Sequence, residues 1–342
     1  MTTTEPFAWG RAISKLLAGH SLSDDEAAAA MGEIMEGAAT PAQIAGFVVA
    51  LRAKGETTDE IVGLVRVMRS YALKVEAGDD VLDTCGTGGD RTGTFNVSTA
   101  AAFVCAGAGA RVAKHGNRAA SSKCGSADVL ETLGVRLDLD PERVAACIRE
   151  AGMGFCFAPL FHPAMRHAAL PRRELGVATV FNFLGPLTNP AGARRQALGV
   201  SDPKMLDHMV ETLRRLGSDH VVAFHGDEGL DELSLSGPSR VVELVDGETR
   251  HLEVDPVDLG LERAPLEAVR GGSCDDNAAA IRRVLDGERG PRRDIVVLNA
   301  AAGLVAAGQS GDLADGVERA GHAIDSGAAA AALDRLVEVS NA

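Results

Sequence analysis

The first ~75 residues repeat apolar positions with the period of an α-helix. Between positions 61 and 68, apolar residues stand three or four apart, at Ile61, Leu64, Val65 and Met68. Three capping-box pairs precede apolar runs: Ser23 with Glu26, Thr40 with Gln43, and Thr57 with Glu60. Pro41 suits a first helical position, and Gly37 and Gly55 suit helix ends. We therefore predict three to four short helices without an intervening strand, as a separate unit whose apolar faces could also form a dimer contact.

From Val81 onward, short apolar runs alternate with helical segments. Strands are predicted at 81–83, 111–114, 154–158, 220–225 and 295–298. Helices are predicted to begin near Ser98, Ser126, Asp140-Pro141 and Asp202-Pro203. Asp246-Gly247 separates two apolar runs and predicts a hairpin turn, so an antiparallel part is expected in the sheet. The alternation as a whole predicts an α/β fold with a mostly parallel central sheet.

Composition narrows the class of protein. The chain has 342 residues, more than one core usually holds, which predicts two domains. Its formal charge of −14 argues against a nucleic-acid partner, because a phosphate backbone requires a basic surface. No apolar run resembles a membrane span, and the first residues show no basic flank, so no membrane partner is expected. The six cysteines form no C-x-x-C pair, which favours reduced thiols in the cytoplasm.

The segment 83–90, Asp-Thr-Cys-Gly-Thr-Gly-Gly-Asp, is the most informative motif. Its glycines permit positive φ angles and let a diphosphate approach the backbone, and the next helix offers its N-terminal N–H groups. The spacing is neither G-x-G-x-x-G nor G-x-x-x-x-G-K-[ST]. A tight connection without function is the alternative. Because Asp83 and Asp90 would repel a bare diphosphate, the loop predicts a phosphorylated ribose that carries Mg²⁺.

Two basic segments suggest contacts with anionic groups. Lys114-His115-Gly116-Asn117-Arg118 ends a predicted strand and is followed by Ser121 and Ser122. Ligands bind at the carboxyl ends of strands in open α/β sheets, so these side chains could surround an anion. Arg172 and Arg173 are adjacent, and one guanidinium facing a pocket would suit a small carboxylate. A solvated loop and plain surface charge are the alternatives.

An acidic segment follows the predicted strand at 220–225. Asp231 and Glu232 are adjacent carboxylates and offer the hard oxygen ligands that Mg²⁺ prefers. A solvated acidic loop is the alternative. No set of His and Cys residues has tetrahedral spacing, so a structural zinc is not expected.

In kind and order, these motifs resemble those of the anthranilate phosphoribosyltransferase family. The resemblance covers essentially the whole chain and rests on segments 83–90, 96–99, 114–118, 162–165, 172–176, 181–190 and 229–232. The family joins anthranilate to phosphoribosyl pyrophosphate and releases pyrophosphate, in tryptophan synthesis. This chain departs from the family's common Leu-Gly-Ile-Arg-Thr run, because Ala178 stands at the Arg position.

The resemblance implies a role for each matched residue. Phosphoribosyl pyrophosphate would contact Gly86, Thr87, Gly88, Gly89, Asp90, Thr94, Asn96, Ser98, Thr99, Lys114, His115, Gly116, Asn117 and Ser126. Anthranilate would contact Gly86, His115, Asn117, His162 and Arg172. Two Mg²⁺ ions per subunit would be held by Ser98, Asp231 and Glu232. No catalytic base is assigned.

The resemblance also implies a two-domain fold related to nucleoside phosphorylases. A helical domain would comprise 1–78 with 172–195, and an α/β domain would comprise 79–171 and 196–342. The helical domains would pair in a cytoplasmic homodimer. A pyrimidine nucleoside phosphorylase is one alternative, although it has no need of the Asp231–Glu232 pair. A non-catalytic nucleic-acid-binding relative is the other, although such a protein should be basic and lack Asn117 and Arg172.

Overall fold

A computed structural model describes residues 7–119 and 123–342, and it begins with four helices. These are α1 (Trp9–Leu17), α2 (Asp24–Glu36), α3 (Pro41–Lys54) and α4 (Thr58–Ser70). All three predicted capping boxes are confirmed, with the Ser23, Thr40 and Thr57 hydroxyls accepting from the third helical N–H. Gly37 and Gly55 end their helices with φ of 75° and 92°, a conformation that favours glycine. Local capping chemistry thus sets the boundaries of these helices.

The rest of the chain is built on a seven-stranded sheet in the order β3-β2-β1-β4-β5-β6-β7. The strands are β1 (Leu82–Gly86), β2 (Val112–Gly116), β3 (Met153–Phe157), β4 (Arg195–Gly199), β5 (His220–Gly226), β6 (Ser239–Val245) and β7 (Glu248–Val254). The first five run parallel, and β6 and β7 are antiparallel. The predicted hairpin turn is confirmed, with φ of 53° at Asp246 and 82° at Gly247. The α/β fold with a mostly parallel sheet is therefore confirmed.

Helices cover both faces of the sheet. They are α5 (Val97–Gly107), α6 (Ser126–Thr132), α7 (Pro141–Ala151), α8 (Ala158–Phe161), α9 (Arg166–Leu175), α10 (Phe181–Leu184), α11 (Leu206–Arg215), α12 (Cys274–Leu285), α13 (Pro291–Ala306), α14 (Leu313–Asp325) and α15 (Ala328–Asn341). Short 3₁₀ turns occur at Pro163–Met165, Gly185–Leu187, Pro203–Met205, Pro256–Leu259 and Leu266–Val269.

Successive residues of β5 enter two different hydrophobic cores. Val222 and Phe224 pack in the core that contains α5 and α13, whereas Val221 and Ala223 pack with α1–α4 and α11. The period of two along a strand explains this division. Phe181, Leu184 and Leu187 also enter the second core, beside the N-terminal helices. The domain boundaries at 78/79 and 172–195 stay predictions.

One strand prediction was wrong, and one strand was missed. Residues 295–298 lie inside α13, where nearly every position is buried, so no polar face reveals the helical period. Conversely, β4 was not predicted, because Arg195-Gln196-Ala197-Leu198-Gly199 contains no β-branched or aromatic residue. Gln196 is nevertheless buried within the sheet, where its Nε2 donates to the Pro186 carbonyl at 2.7 Å.

The expectation that all six thiols are reduced was also wrong. Cys124 and Cys274 form a disulfide across 150 residues, with Cα atoms 5.2 Å apart. Cys124 lies just before α6 and Cys274 begins α12, and these two helices pack together. The remaining cysteines are buried free thiols, at positions 85, 105, 147 and 156. Among the described residues, no helix has both the length and the apolarity needed to cross a membrane.

Candidate active site

A cleft of about 1010 Å³ lies at the carboxyl ends of β1 and β2. Every residue that the resemblance assigns to a substrate or metal lines this one cleft. The cleft also contains Phe181 and the segment 270–272. Parallel strands explain the convergence, because their carboxyl ends meet at one edge of the sheet. Ser121 and Ser122 lie outside the described residues.

The glycine-rich part of segment 83–90, called the glycine loop below, leaves β1 at Gly86 and turns through two residues in the left-handed conformation. Gly88 and Gly89 have φ of 67° and 79°. The Thr87 N–H donates to the Gly199 carbonyl at 3.0 Å, and the Ser201 N–H donates to the Thr87 hydroxyl at 3.0 Å. The loop is thus anchored to the end of β4. Sequence reasoning missed Ser201 because β4 itself was not predicted.

The Asn96 side chain connects three segments that line the cleft. Its Nδ2 donates to the Cys124 carbonyl at 3.1 Å, and its Oδ1 accepts from Asn277 at 3.0 Å. Asn277 is buried and in turn accepts from the Gly272 N–H at 2.8 Å. Sequence reasoning missed Asn277, because nothing local marks it as different from other helical asparagines. The contact of Asn96 with a phosphorylated ribose stays a prediction.

The basic segment at the end of β2 divides into a buried and an exposed part. Lys114 is only 1% exposed, and its Nζ donates to the Thr84 carbonyl and lies 3.4 Å from the Ser98 hydroxyl. Burial lowers the pKa of Lys114, although the Asp83 carboxylate opposes that shift. Arg118 is exposed and pairs with Glu131 at 2.5 Å and with Asp128 at 2.9 Å. Arg118 also lines the cleft, so its contact with an anion stays a prediction.

The hydroxyl of Thr99 and the side chain of Asn117 complete this part of the cleft. Thr99 is fully buried in the first turn of α5, and its Oγ1 has no hydrogen-bond partner among the described residues. Asn117 is exposed, and its Oδ1 accepts from the next N–H, of Arg118, at 2.7 Å. The Ser126 hydroxyl donates to the Asn117 carbonyl at 3.3 Å.

The acidic pair lies against the glycine loop and the start of α5. Asp231 Oδ2 accepts from the Gly88 N–H at 2.7 Å, and Glu232 Oε1 accepts from the Ser98 N–H at 3.1 Å. Burial raises the pKa of both carboxyls, and repulsion from Asp90 and within the pair raises it further. A cation at this place would relieve the repulsion. Two carboxylates and the Ser98 hydroxyl are hard oxygen donors, so the residues present fit Mg²⁺.

In the two described ranges, no three His, Cys, Asp or Glu side chains are arranged as a complete metal site. Mg²⁺ is usually bound in proteins by one or two carboxylates together with water and substrate phosphates.

Two glycines make room for Asp231. Gly86 and Gly199 are register partners at the ends of β1 and β4. A Cβ on Gly86 would overlap the Asp231 carboxylate, and a Cβ on Gly199 would overlap the Asp231 backbone. The acidic segment can cross the sheet edge at this height only because both positions lack a side chain. Gly199 was missed by sequence reasoning together with β4.

Two buried histidines stand side by side in the cleft. The rings of His115 and His162 are 5.1 Å apart, and the His115 Nδ1 lies 3.1 Å from the Gly185 carbonyl. Burial lowers the pKa of His115 to about 3 and that of His162 to about 4, so both rings are neutral at pH 7. A carbonyl can only accept, so Nδ1 of His115 carries the hydrogen. Its Nε2 is then an acceptor with no partner among the described residues.

The adjacent arginines point in different directions. Arg172 is half-buried, lines the cleft and lies with its guanidinium carbon 5.2 Å from the Phe181 ring centre. Burial lowers its pKa, and no described carboxylate pairs with it. Arg173 is exposed and lies outside the cleft lining. Ala178 is also exposed and outside the lining. A half-buried guanidinium without an ion pair is suited to a carboxylate ligand.

Comparison with known proteins agrees with this geometry. The family model described as "Glycosyl transferase family, a/b domain" matches residues 78–330, and "Glycosyl transferase family, helical bundle domain" matches residues 11–72. An anthranilate phosphoribosyltransferase from Roseiflexus sp. (strain RS-1) is 56% identical over 330 residues, covering 96% of this chain and 97% of that protein. Another from Chloroflexus aggregans is 57% identical over 331 residues, with the same coverage.

Solved structures give the same result. The crystal structure of anthranilate phosphoribosyltransferase from Thermus thermophilus has a TM-score of 0.90 and 50% identity, covering 97% of this chain and 99% of that one. The Saccharomyces cerevisiae enzyme in complex with PRPP (phosphoribosyl pyrophosphate) and Mg has a TM-score of 0.88 and 27% identity. The match covers 97% of this chain and 98% of that one. The chain therefore belongs to the glycosyl transferase family and, within it, to the anthranilate phosphoribosyltransferases.

Proposed function

We propose that this protein transfers the phosphoribosyl group of phosphoribosyl pyrophosphate to the amine of anthranilate, releasing pyrophosphate. The observation that carries the proposal is one cleft that is lined by two chemically different groups of residues. The glycine loop contacts the Asp231–Glu232 pair, and Arg172 lines the same cleft with no ion pair among the described residues. We take these groups as two ends of the cleft, the glycine-loop end and the Arg172 end. The similar yeast enzyme in complex with PRPP and Mg supports the first assignment.

The glycine-loop end would take the diphosphate and the ribose. Gly88 and Gly89 would present backbone N–H groups to the diphosphate, as left-handed glycines do in anion-binding loops. The first turn of α5 would face the phosphorylated ribose, with Ser98 and with the Thr99 hydroxyl, which has no partner within the described part of the chain. Lys114, held beside Ser98, would add positive charge to this end.

We assign the metal role to Ser98, Asp231 and Glu232, with two Mg²⁺ ions per subunit. When bound, Mg²⁺ supplies charge neutralisation for the departing pyrophosphate. The carboxylates would hold it while the loop N–H groups stabilise the same leaving group. The Gly88 N–H is bonded to Asp231, so it would exchange that partner for a diphosphate oxygen.

The Arg172 end would take anthranilate. The guanidinium would bind the carboxylate through two parallel hydrogen bonds, while Asn117 and the neutral rings of His115 and His162 would border the aromatic ring. The amine of anthranilate is neutral at pH 7 and can attack the anomeric carbon directly, with inversion. Positioning both substrates in line supplies much of the acceleration, and no catalytic base is assigned.

We further propose a cytoplasmic homodimer that is formed through the helical domain. Leu17, Val49 and Leu170 are apolar and 72%, 44% and 43% exposed. They lie on α1, α3 and α9, and α3 packs against both of the other helices. A second copy of this chain is the occupant expected for such a surface, and sedimentation at micromolar concentration tests it.

One assay tests the proposed activity. Anthranilate, phosphoribosyl pyrophosphate and Mg²⁺ are mixed with the protein, and loss of anthranilate fluorescence is followed. We expect turnover that stops when EDTA is added and does not occur with ribose 5-phosphate as donor. Phosphorolysis of a pyrimidine nucleoside without Mg²⁺, in the absence of anthranilate consumption, would contradict the proposal. Binding of labelled DNA at physiological salt without turnover would also contradict it.

A further inference from the structure

The segment between β5 and β6, residues 227–238, carries the acidic pair without being a helix or strand. It is nevertheless deeply placed, since Leu230, Leu233 and Leu235 are at most 2% exposed. Buried backbone N–H and C=O groups need partners, and irregular backbone cannot supply them from its own ladder. The partners of this segment therefore decide where its carboxylates stand.

Asn299 satisfies both backbone groups of Leu233. Its Oδ1 accepts from the Leu233 N–H at 2.8 Å, and its Nδ2 donates to the Leu233 carbonyl at 3.0 Å. The same Nδ2 also donates to the Ile295 carbonyl at 2.9 Å, one turn earlier in α13. The Asn299 side chain is only 3% exposed. It thus makes the pair of bonds to Leu233 that a neighbouring strand would make.

We propose that Asn299 is a positioning residue that holds the Asp231–Glu232 pair against the glycine loop and α5. The Leu233 N–H belongs to the peptide bond that follows Glu232. The two hydrogen bonds from Asn299 to Leu233 therefore act directly next to the acidic pair. The inference rests on the proposed function, because the pair is taken to hold a divalent cation. Asn299 is not among the residues that line the cleft.

The deep burial of α13 supports this role. The helix packs against α5, α14 and the strands β1, β4 and β5, and it is buried at nearly every position. Two other backbone hydrogen bonds of the segment reach the start of β6 and the loop before Pro265. The Ser234 N–H donates to the Ser239 hydroxyl, and the Leu235 carbonyl accepts from Ala264. Asn299 therefore connects the backbone that directly follows the acidic pair to the centre of the α/β core.

The geometry at the sheet edge makes a shift of this segment costly for the site. Asp231 crosses directly above Gly86 and Gly199, where even a methyl group would not fit. Glu232 meets the Ser98 N–H at 3.1 Å on the other side. If the Leu233 peptide moves, both carboxylates lose their alignment with Gly88 and Ser98 together.

The test is metal binding in three Asn299 variants. Mn²⁺, the probe, is titrated into the intact protein and followed by its electron paramagnetic resonance signal. Asn299→Ala and Asn299→Leu remove all three hydrogen bonds, and we expect Mn²⁺ affinity to fall about 10- to 100-fold, as for other residues that orient metal ligands. Asn299→Asp keeps the acceptor for the Leu233 N–H and should lie between these variants and wild type.

Kinetics supply a second readout. The Michaelis constant for the magnesium complex of phosphoribosyl pyrophosphate should rise in parallel, whereas that for anthranilate should change less than twofold. Leu333→Ala is the matched control, because Leu333 is fully buried in α15 and lies outside the cleft. It should lower the melting temperature without changing Mn²⁺ affinity.

The inference is overturned if the Asn299 variants lose stability like Leu333→Ala while Mn²⁺ affinity stays at the wild-type value. If Asn299→Ala and Asn299→Leu do not fold, the stability and the Mn²⁺ affinity of Asn299→Asp are compared with those of the wild type in the same way. Failure of the proposed function would look different. The wild type would then bind Mn²⁺, and the Asn299 variants would bind it more weakly, but the wild type would not consume anthranilate. A wild type that binds no Mn²⁺ overturns the inference.

Discussion

The guanidinium carbon of Arg172 lies 5.2 Å from the centre of the Phe181 ring, and both residues line the cleft. The aromatic face holds the arginine without neutralising its charge, since a cation–π contact leaves the N–H groups free to donate. Residues adjacent on a helix point about 100° apart, so Arg173 faces away, and it is indeed exposed.

We therefore predict that Arg172→Ala raises the Michaelis constant for anthranilate and changes that for phosphoribosyl pyrophosphate little. Loss of a charge-assisted, bidentate contact should cost about 1.5–3 kcal/mol, which is tenfold to a hundredfold in substrate affinity. Steady-state kinetics with each substrate varied in turn measure this, and circular dichroism checks the fold. Arg173→Ala is the matched control and should behave almost like wild type. The reverse order of effects would show that the assignment of this pocket is wrong.

The features that sequence analysis predicted are those with local or strongly patterned causes. The capping boxes at Ser23, Thr40 and Thr57 involve residues three positions apart, so they are visible in the sequence and present in the structure. The convergence of the glycine loop and Asp231 in one cleft follows from parallel strands ending at one edge.

The features that it missed depend on packing between distant segments. Asn299 and Leu233 are 66 residues apart, and Asn96 and Asn277 are 181 apart. Their sequence neighbourhoods carry no mark of these contacts. The same holds for Gly199, whose lack of a side chain matters only because Asp231 passes over it.

The acidic pair supplies the second prediction. Replacing Asp231 with Asn and Glu232 with Gln together should lower turnover at least ~100-fold, because stabilisation of the leaving group by a metal is worth several kcal/mol. Anthranilate affinity, followed by fluorescence, should not change. Asp227→Asn is the control, since Asp227 belongs to the same segment but is exposed and pairs with Arg240. Full activity of the double variant in trace metal would remove the metal role from these residues.

Gly199 provides the third prediction. In Gly199→Ala, the new Cβ would collide with the Asp231 backbone, and overpacking of this kind costs ~1–3 kcal/mol. We expect a lower free energy of unfolding and a fall in kcat/KM for phosphoribosyl pyrophosphate of tenfold or more. Gly32→Ala is the control, because this position lies inside α2 with open space around it. There alanine should stabilise by about 0.5–1 kcal/mol. Wild-type kinetics in Gly199→Ala would show that the acidic segment tolerates displacement.

The buried histidines make stability depend on pH. The pKa of His115 is lowered to about 3, below its ordinary value, so unfolding is accompanied by proton uptake once the pH falls below about 6.5. The contribution of His115 to stability is fully present above about pH 6.5. It declines by about 1.4 kcal/mol per pH unit as the pH falls toward the folded-state pKa. Urea unfolding at pH 7, 6 and 5 should show a shallower decline in His115→Asn than in wild type. A His115 ring proton that titrates with the ordinary histidine pKa in NMR spectra would contradict this.

The disulfide supplies the last prediction, because it opposes the expectation of six reduced thiols. With Cys124 and Cys274 joined, four thiols remain, and all four are buried. Protein purified without reductant and unfolded in guanidinium should therefore react with four equivalents of a thiol reagent, and with six after reduction.

The disulfide closes a loop across 150 residues, so its loss should lower the free energy of unfolding by about 2–5 kcal/mol. The double substitution Cys124→Ser and Cys274→Ser should reproduce the melting temperature of the reduced protein and become insensitive to reductant. The control is Cys147→Ser, which leaves the disulfide intact and should keep the response to reductant. Six reactive thiols in the unreduced protein would instead support the reduced state expected from the sequence.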